Sequence, residues 1–534
     1  MPAIITSNFR TLNAKHFKEQ ISGSSVYVGI GKSDVWSLTT SDTTDTTPFT
    51  PSDRLDDLGE ARANLIGLKK IVASDIAHVI PRHTWTSGRS YVAWDSDDPD
   101  IFDKAFYIVT SEFKVYKCII AGGGASSIQP TQTLTDPTAE SDGYTWKYMY
   151  TISVADAEKF LTNSYMPVKT VSLGATATVA VASTSTTIIL TETVPGIGVG
   201  MTVSGTNVGS GKTVSAINGS VLTLSGTPSG SVSGLLTFAY ANDAAAEAQL
   251  SEADYAQYLN QKASRDSSTA AGIERIEVTA AGSSYTGKPT VTITGDGTGA
   301  TVAAGNITMA GSGSSQTLSS ITIQNKGTDY RFADITITGA GGSDAAARAV
   351  IAPKAGHGVD PVSELGGFFI SLNSKLDGND GGDLTVGNDF RQITLFNEPR
   401  VHNTTPLAGL IATADTLKGT KALDFNSSAN VSNYVIDELI VGATSGAQAY
   451  VVEIDTSNGF VRYHQNSKTG YTAFSNGEVI TGQTSTTTGT LETSNAVLAP
   501  EVDRASGEIL FLENRNPINR TTSQIEDIKV IIEF

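Results

Sequence analysis

A mainly β, multidomain architecture of β-sandwich-like modules with a few short helices is predicted by three features of this 534-residue sequence. Apolar runs such as Val115 to Ile120 and Tyr144 to Tyr150 alternate in side-chain character and are bounded by Gly, Pro and Asp-Gly turn signals. Glycine is abundant (52 residues) while charged residues make up only 17% against 39% hydrophobic, a balance that suits turn-rich folded β modules and argues against disorder. Between Val171 and Leu236 the chain turns rich in Thr, Ser, Gly and Val, in short alternating runs such as Val221-Leu222-Thr223-Leu224. At roughly 150 residues per domain, three or four domains are expected.

In chain order, residues 1–170 form the first body, mixed and β-rich. Ala14, Phe17 and Ile21 recur at helical spacing behind Asn13 as cap, Val26 to Ile30 reads as a strand, and Asp53 to Ile66 reads as a second helix. Proline ends the apolar run Ile76 to Pro81. Alternation then places Tyr144, Trp146, Tyr148 and Tyr150 on one face of a strand paired with Val115 to Ile120. That row reads as a core face, the competing reading being an exposed platform for sugar or protein. Cys118, the one cysteine, sits in an apolar strand and reads as a buried, inert thiol.

Residues 171–240 read as an inserted small β-sandwich and 241–270 as a helical connector, with Leu250, Tyr255, Tyr258 and Leu259 as its apolar stripe. Residues 271–352 hold a duplicated unit: Ile276 to Thr294 and Ile321 to Thr338 share a Thr-Ile-Thr-Gly ending, with Gly282 and Tyr285 matching Gly327 and Tyr330. The body continues over 353–430, a further β insertion spans 431–497, and 498–534 closes the body with Ile528, Val530, Ile532 and Phe534 on one strand face.

Several blocks carry a resemblance. Val115-Tyr116-Lys117-Cys118, Pro130, Pro137, Asp142 to Tyr150 and Tyr165-Met166-Pro167-Val168 resemble the baseplate wedge proteins of T-even-type contractile-tailed phages, in particular the medium-sized dimeric wedge subunit in its cyanophage versions. Ile80-Pro81-Arg82 with Trp85, Gly356 to Pro361 with Glu364-Leu365-Gly366, Asn388 to Ile393, Asn397-Glu398-Pro399 and Ser506 to Ile518 fit the same pattern; Asn516 stands where the family usually has proline. Roughly half the chain is covered, and the insertions lie outside it. The resemblance implies a structural subunit without catalysis or cofactor, a homodimer touching other wedge subunits, located in the virion tail baseplate and assembled in the host cytoplasm. Arg82, Trp85, Arg391 and Arg515 lie in family-like motifs and are the candidate interface residues. The alternative is a tail adhesin whose inserted modules hold host-surface glycans.

The residues themselves point away from other classes. A net charge of −18 with no cluster of Lys and Arg is unsuited to nucleic acid, and the acidity reads as a solvated surface before a recognition face. No 18-residue apolar run or basic-flanked leader is present, so no membrane partner is expected. Gly205 to Thr213 resembles a phosphate-binding loop but has one residue too many, and a strand pattern follows where a helix is required. Asp377 to Asp383 lacks the fifth-position oxygen and the twelfth-position Glu of a calcium loop, and Asp95 to Asp100 likewise reads as a surface turn. The six histidines form no i, i+4 pair, so no metal site is assigned.

Overall fold

A computed structural model of the chain describes residues 4–37, 39–40, 44–268, 271–402 and 409–534. Residues 1–3 of the N-terminal run and 269–270 of the connector lie outside the described residues. The protein is mainly β and multidomain, built from antiparallel sheets, and falls into two compact units. Each unit is discontinuous in sequence. One comprises Met1–Glu19, Ala77–Ser371 and Ile532–Phe534; the other comprises Gln20–Ile76 and Leu372–Ile531. Among the described residues no helix is long and apolar enough to cross a membrane.

In the first unit, strand Lys114–Ile120 pairs antiparallel with Thr145–Thr151, as the sequence predicts. The aromatic row, however, does not keep one face. Val115 lies opposite Tyr150 but Tyr116 lies opposite Tyr148, so Met149 is an extra residue and the strand bulges there. Tyr144 and Trp146, with Tyr148 against them, pack in a cluster with Tyr91, Ile108 and Tyr116, whereas Met149 and Tyr150 join a second cluster with Ile80, Phe106 and Met166. Both destinations are cores, and the Tyr144 and Tyr150 hydroxyls donate to the carbonyls of Gly124 and Pro167. Cys118 is buried, and burial pushes its thiol up to about 12.

Residues 175–239 of this unit supply two three-stranded antiparallel sheets that share one core, with Ile188, Leu222 and Leu224 from one sheet meeting Val203, Leu236 and Phe238 from the other. The phosphate-loop look-alike leads into strand Val214–Asn218. The connector is two helices, Asp243–Glu247 and Glu252–Ser267, because Ser251 stops the first run and caps the second by accepting the Asp254 N–H.

The duplicated unit forms a six-stranded sheet in which Thr290–Gly295 pairs with Ala333–Thr338, bringing the two Thr-Ile-Thr segments side by side. Its copies are interlocked: Tyr285 of the first covers Gly342 beyond the second, and Tyr330 of the second covers Gly297 beyond the first. Gly282 and Gly327, at φ +62° and +63°, provide the left-handed turn ahead of each tyrosine.

In the second unit, a five-stranded sheet has Val26–Gly31 at its centre, between Leu65–Lys70 and Asp389–Asn397, with Glu508–Asn519 as an edge. Helix boundaries differ from expectation at two places. The first helix runs Ser7–Gly23, so Asn13 is interior, and Thr6 accepts the Phe9 N–H at the start. The second is Leu55–Ala63, and Leu65 and Ile66 leave it for the sheet, where both are buried. Residues 421–498 fold as a seven-stranded sheet around Leu423, Ile440, Val451, Tyr463 and Ile480.

Candidate functional site

The motif residues of the first unit are used to hold the fold. Glu364 accepts the backbone N–H groups of Gly358, Val359 and Asp360 on one oxygen (2.8, 3.0 and 3.2 Å), and Lys117 donates to the other at 2.9 Å. Lys117 is fully buried, lies 4.4 Å from the Trp94 ring centroid, and has its pKa lowered by burial. Two sequence blocks separated by more than 200 residues are thus joined by one buried ion pair, in which every donor to the carboxylate is fixed backbone or a single ammonium. Arg82 is half-buried and donates to the Thr162 carbonyl at 2.9 Å, and Trp85 packs on the Tyr116–Trp146 cluster with its indole N–H on Ser126 at 3.2 Å.

Arg391 and Arg515 lie on paired strands of the second unit. Arg391 is buried, donates to both oxygens of Asp45, to Asp389 and to the Ser33 carbonyl, and so is an internal organiser. Asp45 in turn accepts the Trp36 N–H at 3.1 Å, and the Arg515 carbonyl accepts the Trp36 indole N–H at 2.7 Å. The Arg515 side chain is exposed and pairs with Glu513. The two arginines therefore converge on Trp36, one through its side chain and the other through its backbone.

Trp36 forms a wall of a cleft of about 540 Å³. Phe49 meets it edge-on at 6.2 Å; the buried Lys32 and Lys468 form the floor with Asn64, Gln392 and Asn514, while Arg54, Asp57 and Glu60 line the mouth. The amides form a relay, Asn64 to Gln392 at 3.3 Å, Gln392 to Asn514 at 2.9 Å and Asn514 to the Phe49 carbonyl at 2.9 Å. Sequence reading missed Trp36 and both lysines, because Gly31-Lys32-Ser33-Asp34 carries no pattern distinct from a strand-ending turn.

Beneath the floor, Ser33, His464 and Asp34 look like a hydrolytic triad. The Ser33 hydroxyl lies 2.9 Å from His464 Nε2, but Asp34 approaches that same nitrogen at 3.7 Å and Nδ1 has no partner. A working triad needs the carboxylate on the other nitrogen and a hydroxyl open to substrate. Here all three residues are buried, and burial pushes the imidazole down to about 4. Burial alone would raise the Asp34 carboxyl, but Lys32, His464 and Lys468 outweigh it and hold it below its usual range. The cluster is a polar core. Among the described residues no group of three or more His, Cys, Asp or Glu is placed to hold a metal ion.

Comparison with known proteins places a likeness on the N-terminal region. The family model described as Bacteriophage T4, Gp8 matches residues 3–119. The chain is also similar to the baseplate wedge protein gp8 of Enterobacteria phage T4, at 25% identity over 205 residues. That alignment covers 31% of this chain and 60% of the relative, so the chain spans about three-fifths of the length of the curated protein it matches. The resemblance read from the sequence blocks is thereby found, and Arg82 and Trp85 fall inside the matched region.

Proposed function

We propose that this chain is a structural subunit of a phage tail baseplate wedge, a homodimer that joins neighbouring wedge proteins in a contractile tail and is assembled in the host cytoplasm. The observation that carries the reading is the match of residues 3–119 to the Gp8 family. The architecture supports it: the Lys117–Glu364 and Arg391–Asp45 clusters have their donors and carboxylates turned on one another, which suits a structural part. Contacts of this kind rest on large, shape-complementary faces. Arg515, on an edge strand and paired with Glu513, is the candidate interface residue with an exposed side chain, while Arg82, Trp85 and Arg391 act through the surfaces they position.

The adhesin reading loses ground on one observation. Tyr285 and Tyr330, two aromatic residues of the duplicated module that could stack on sugar, are buried against glycines, while Phe332 is exposed. Sedimentation velocity of the chain alone, then mixed with the other wedge proteins of the same phage, tests the proposal. A dimer that enters a larger stable complex is the expected result. A monomer that ignores those proteins overturns it.

A further inference from the structure

We propose that the Trp36 cleft of the second unit binds a carboxylate, presented by an acidic residue or chain end of a partner protein or by a small free dicarboxylate. Lys32 and Lys468 approach the same oxygen of Asp34, at 2.7 and 3.5 Å, with side chains only 8% and 5% exposed. An ammonium has three donors, and Lys32 uses one, on Asp34; its other neighbour is the face of Trp36, 5.5 Å from the ring centroid. A buried cation with unused donors at the bottom of an open cleft is an arrangement that an incoming anion completes.

The groups around the floor are engaged elsewhere. His464, beneath the floor, is held neutral by burial. Arg504 lies close enough to lower His464 further and donates to the Ala63 carbonyl. At the mouth, Glu60 is occupied by the Ser467 N–H and the Tyr471 hydroxyl, and Asp57 by Ser52. Arg54, whose side chain is 72% exposed, stands at the entrance 3.8 Å from Asp57. The floor therefore holds two ammonium groups against the single Asp34 carboxylate, in a recess lined on one side by two aromatic rings. Such a recess fits a carboxylate attached to an apolar stem.

The test uses the full chain, with Trp fluorescence read during titration at constant ionic strength. Two probes separate the sources: succinate, and an acetylated peptide amide carrying one glutamate flanked by leucine. Saturable change with either probe, absent with matched chloride and lost in Trp36→Phe, is expected; the probe that binds more tightly identifies the source. Lys32→Met and Lys468→Met each weaken binding by roughly tenfold or more, the scale of a lost charge-assisted hydrogen bond. Each variant leaves Asp34 one lysine, so a lowered but still cooperative melting transition is expected, and binding is measured well below it. Absence of saturation with both probes overturns the proposal, as does binding that persists unchanged in both lysine variants.

Discussion

Glu438 and Glu478 each secure the turn that belongs to the other. Glu478 accepts the N–H groups of Thr444 and Ser445 and the Ser445 hydroxyl, and Glu438 accepts those of Thr484 and Ser485 and the Ser485 hydroxyl. Their strands, Leu439–Gly442 and Val479–Gly482, pair antiparallel with Ile440 opposite Gly482 and Gly442 opposite Ile480. The sequence repeats the pattern as Glu438-Leu-Ile-Val-Gly-Ala-Thr-Ser445 and Glu478-Val-Ile-Thr-Gly-Gln-Thr-Ser485. Residues 438–485 are thus a second internal duplication, with approximate twofold symmetry and reciprocal carboxylate caps.

Replacing the buried Glu478 by Ala therefore strips several part-buried donors of their acceptor at once. A loss of about 2–4 kcal/mol in unfolding free energy is expected, with Glu478→Gln intermediate. Urea unfolding measures it. Burial raises the Glu478 carboxyl, but the N–H groups and hydroxyl around it outweigh burial and leave it below its usual value. Its contribution is therefore full above pH 4.5 and is lost as pH falls through the lower folded value.

A second acid sensitivity sets in at higher pH. His78 and His464 are pushed by burial from 6.5 down to about 3 and about 4, and the buried His357 well below 6.5. Below pH 6.5 the unfolded chain binds protons that the folded chain refuses, so stability declines as pH falls. For His464 alone the decline reaches about 3 kcal/mol. Asp437 has the opposite sign: burial and Asp389 push it up to about 7, so it costs stability as pH rises from about 4 to 7. Melting temperature measured between pH 4 and 8 should fall on the acid side, with a shallower slope in His464→Gln.

Arg391 and Arg515 should separate cleanly. Arg391→Ala leaves Asp45 and Asp389 without their guanidinium and frees the Trp36 loop; a cost of about 3–5 kcal/mol and a red-shifted Trp emission are expected. Arg515→Ala removes an exposed pair and keeps the carbonyl that holds Trp36, so stability should change by less than about 0.5 kcal/mol. If Arg515→Ala leaves complex formation with wedge proteins untouched in sedimentation, its assignment to the interface fails.

The interlocked tyrosines give a fourth test. A methyl group at Gly342 or Gly297 would overlap the buried ring of Tyr285 or Tyr330. Each Gly→Ala change should cost about 1–3 kcal/mol, and Gly342→Ala with Tyr285→Leu should cost less than the two changes added together. Chemical denaturation of the unsubstituted protein, the two single variants and the double variant closes that cycle.

Local pattern was enough to find the paired aromatic strands and the duplication at Tyr285 and Tyr330, because alternation and repeated glycines are written within a few residues. The bulge at Met149 was not, since nothing in Tyr-Met-Tyr marks an extra residue; the register is imposed by the partner strand. The Glu438 and Glu478 repeat was legible in Glu-x-Ile-x-Gly-x-Thr-Ser but invites reading as two unrelated turns. The cleft was hidden for another reason: Lys32, Asp34, Lys468 and Arg391 come from distant segments, and only the sheet pairing brings them together.

The central strand of the second unit also has a timing problem. Val26–Gly31 takes its place beside Asp389–Asn397, with Gly31 opposite Gln392 some 360 residues later. At 5–20 residues per second, a ribosome needs about 20–70 s to deliver that partner. Through that interval Val26, Tyr27, Val28 and Ile30 have no lasting neighbour on that side, while the intervening first-unit segment has time to fold around its own core. Translation speed over residues 77–371, and chaperones that shield strand edges, should therefore govern the yield of native chain more than the stability of either unit does.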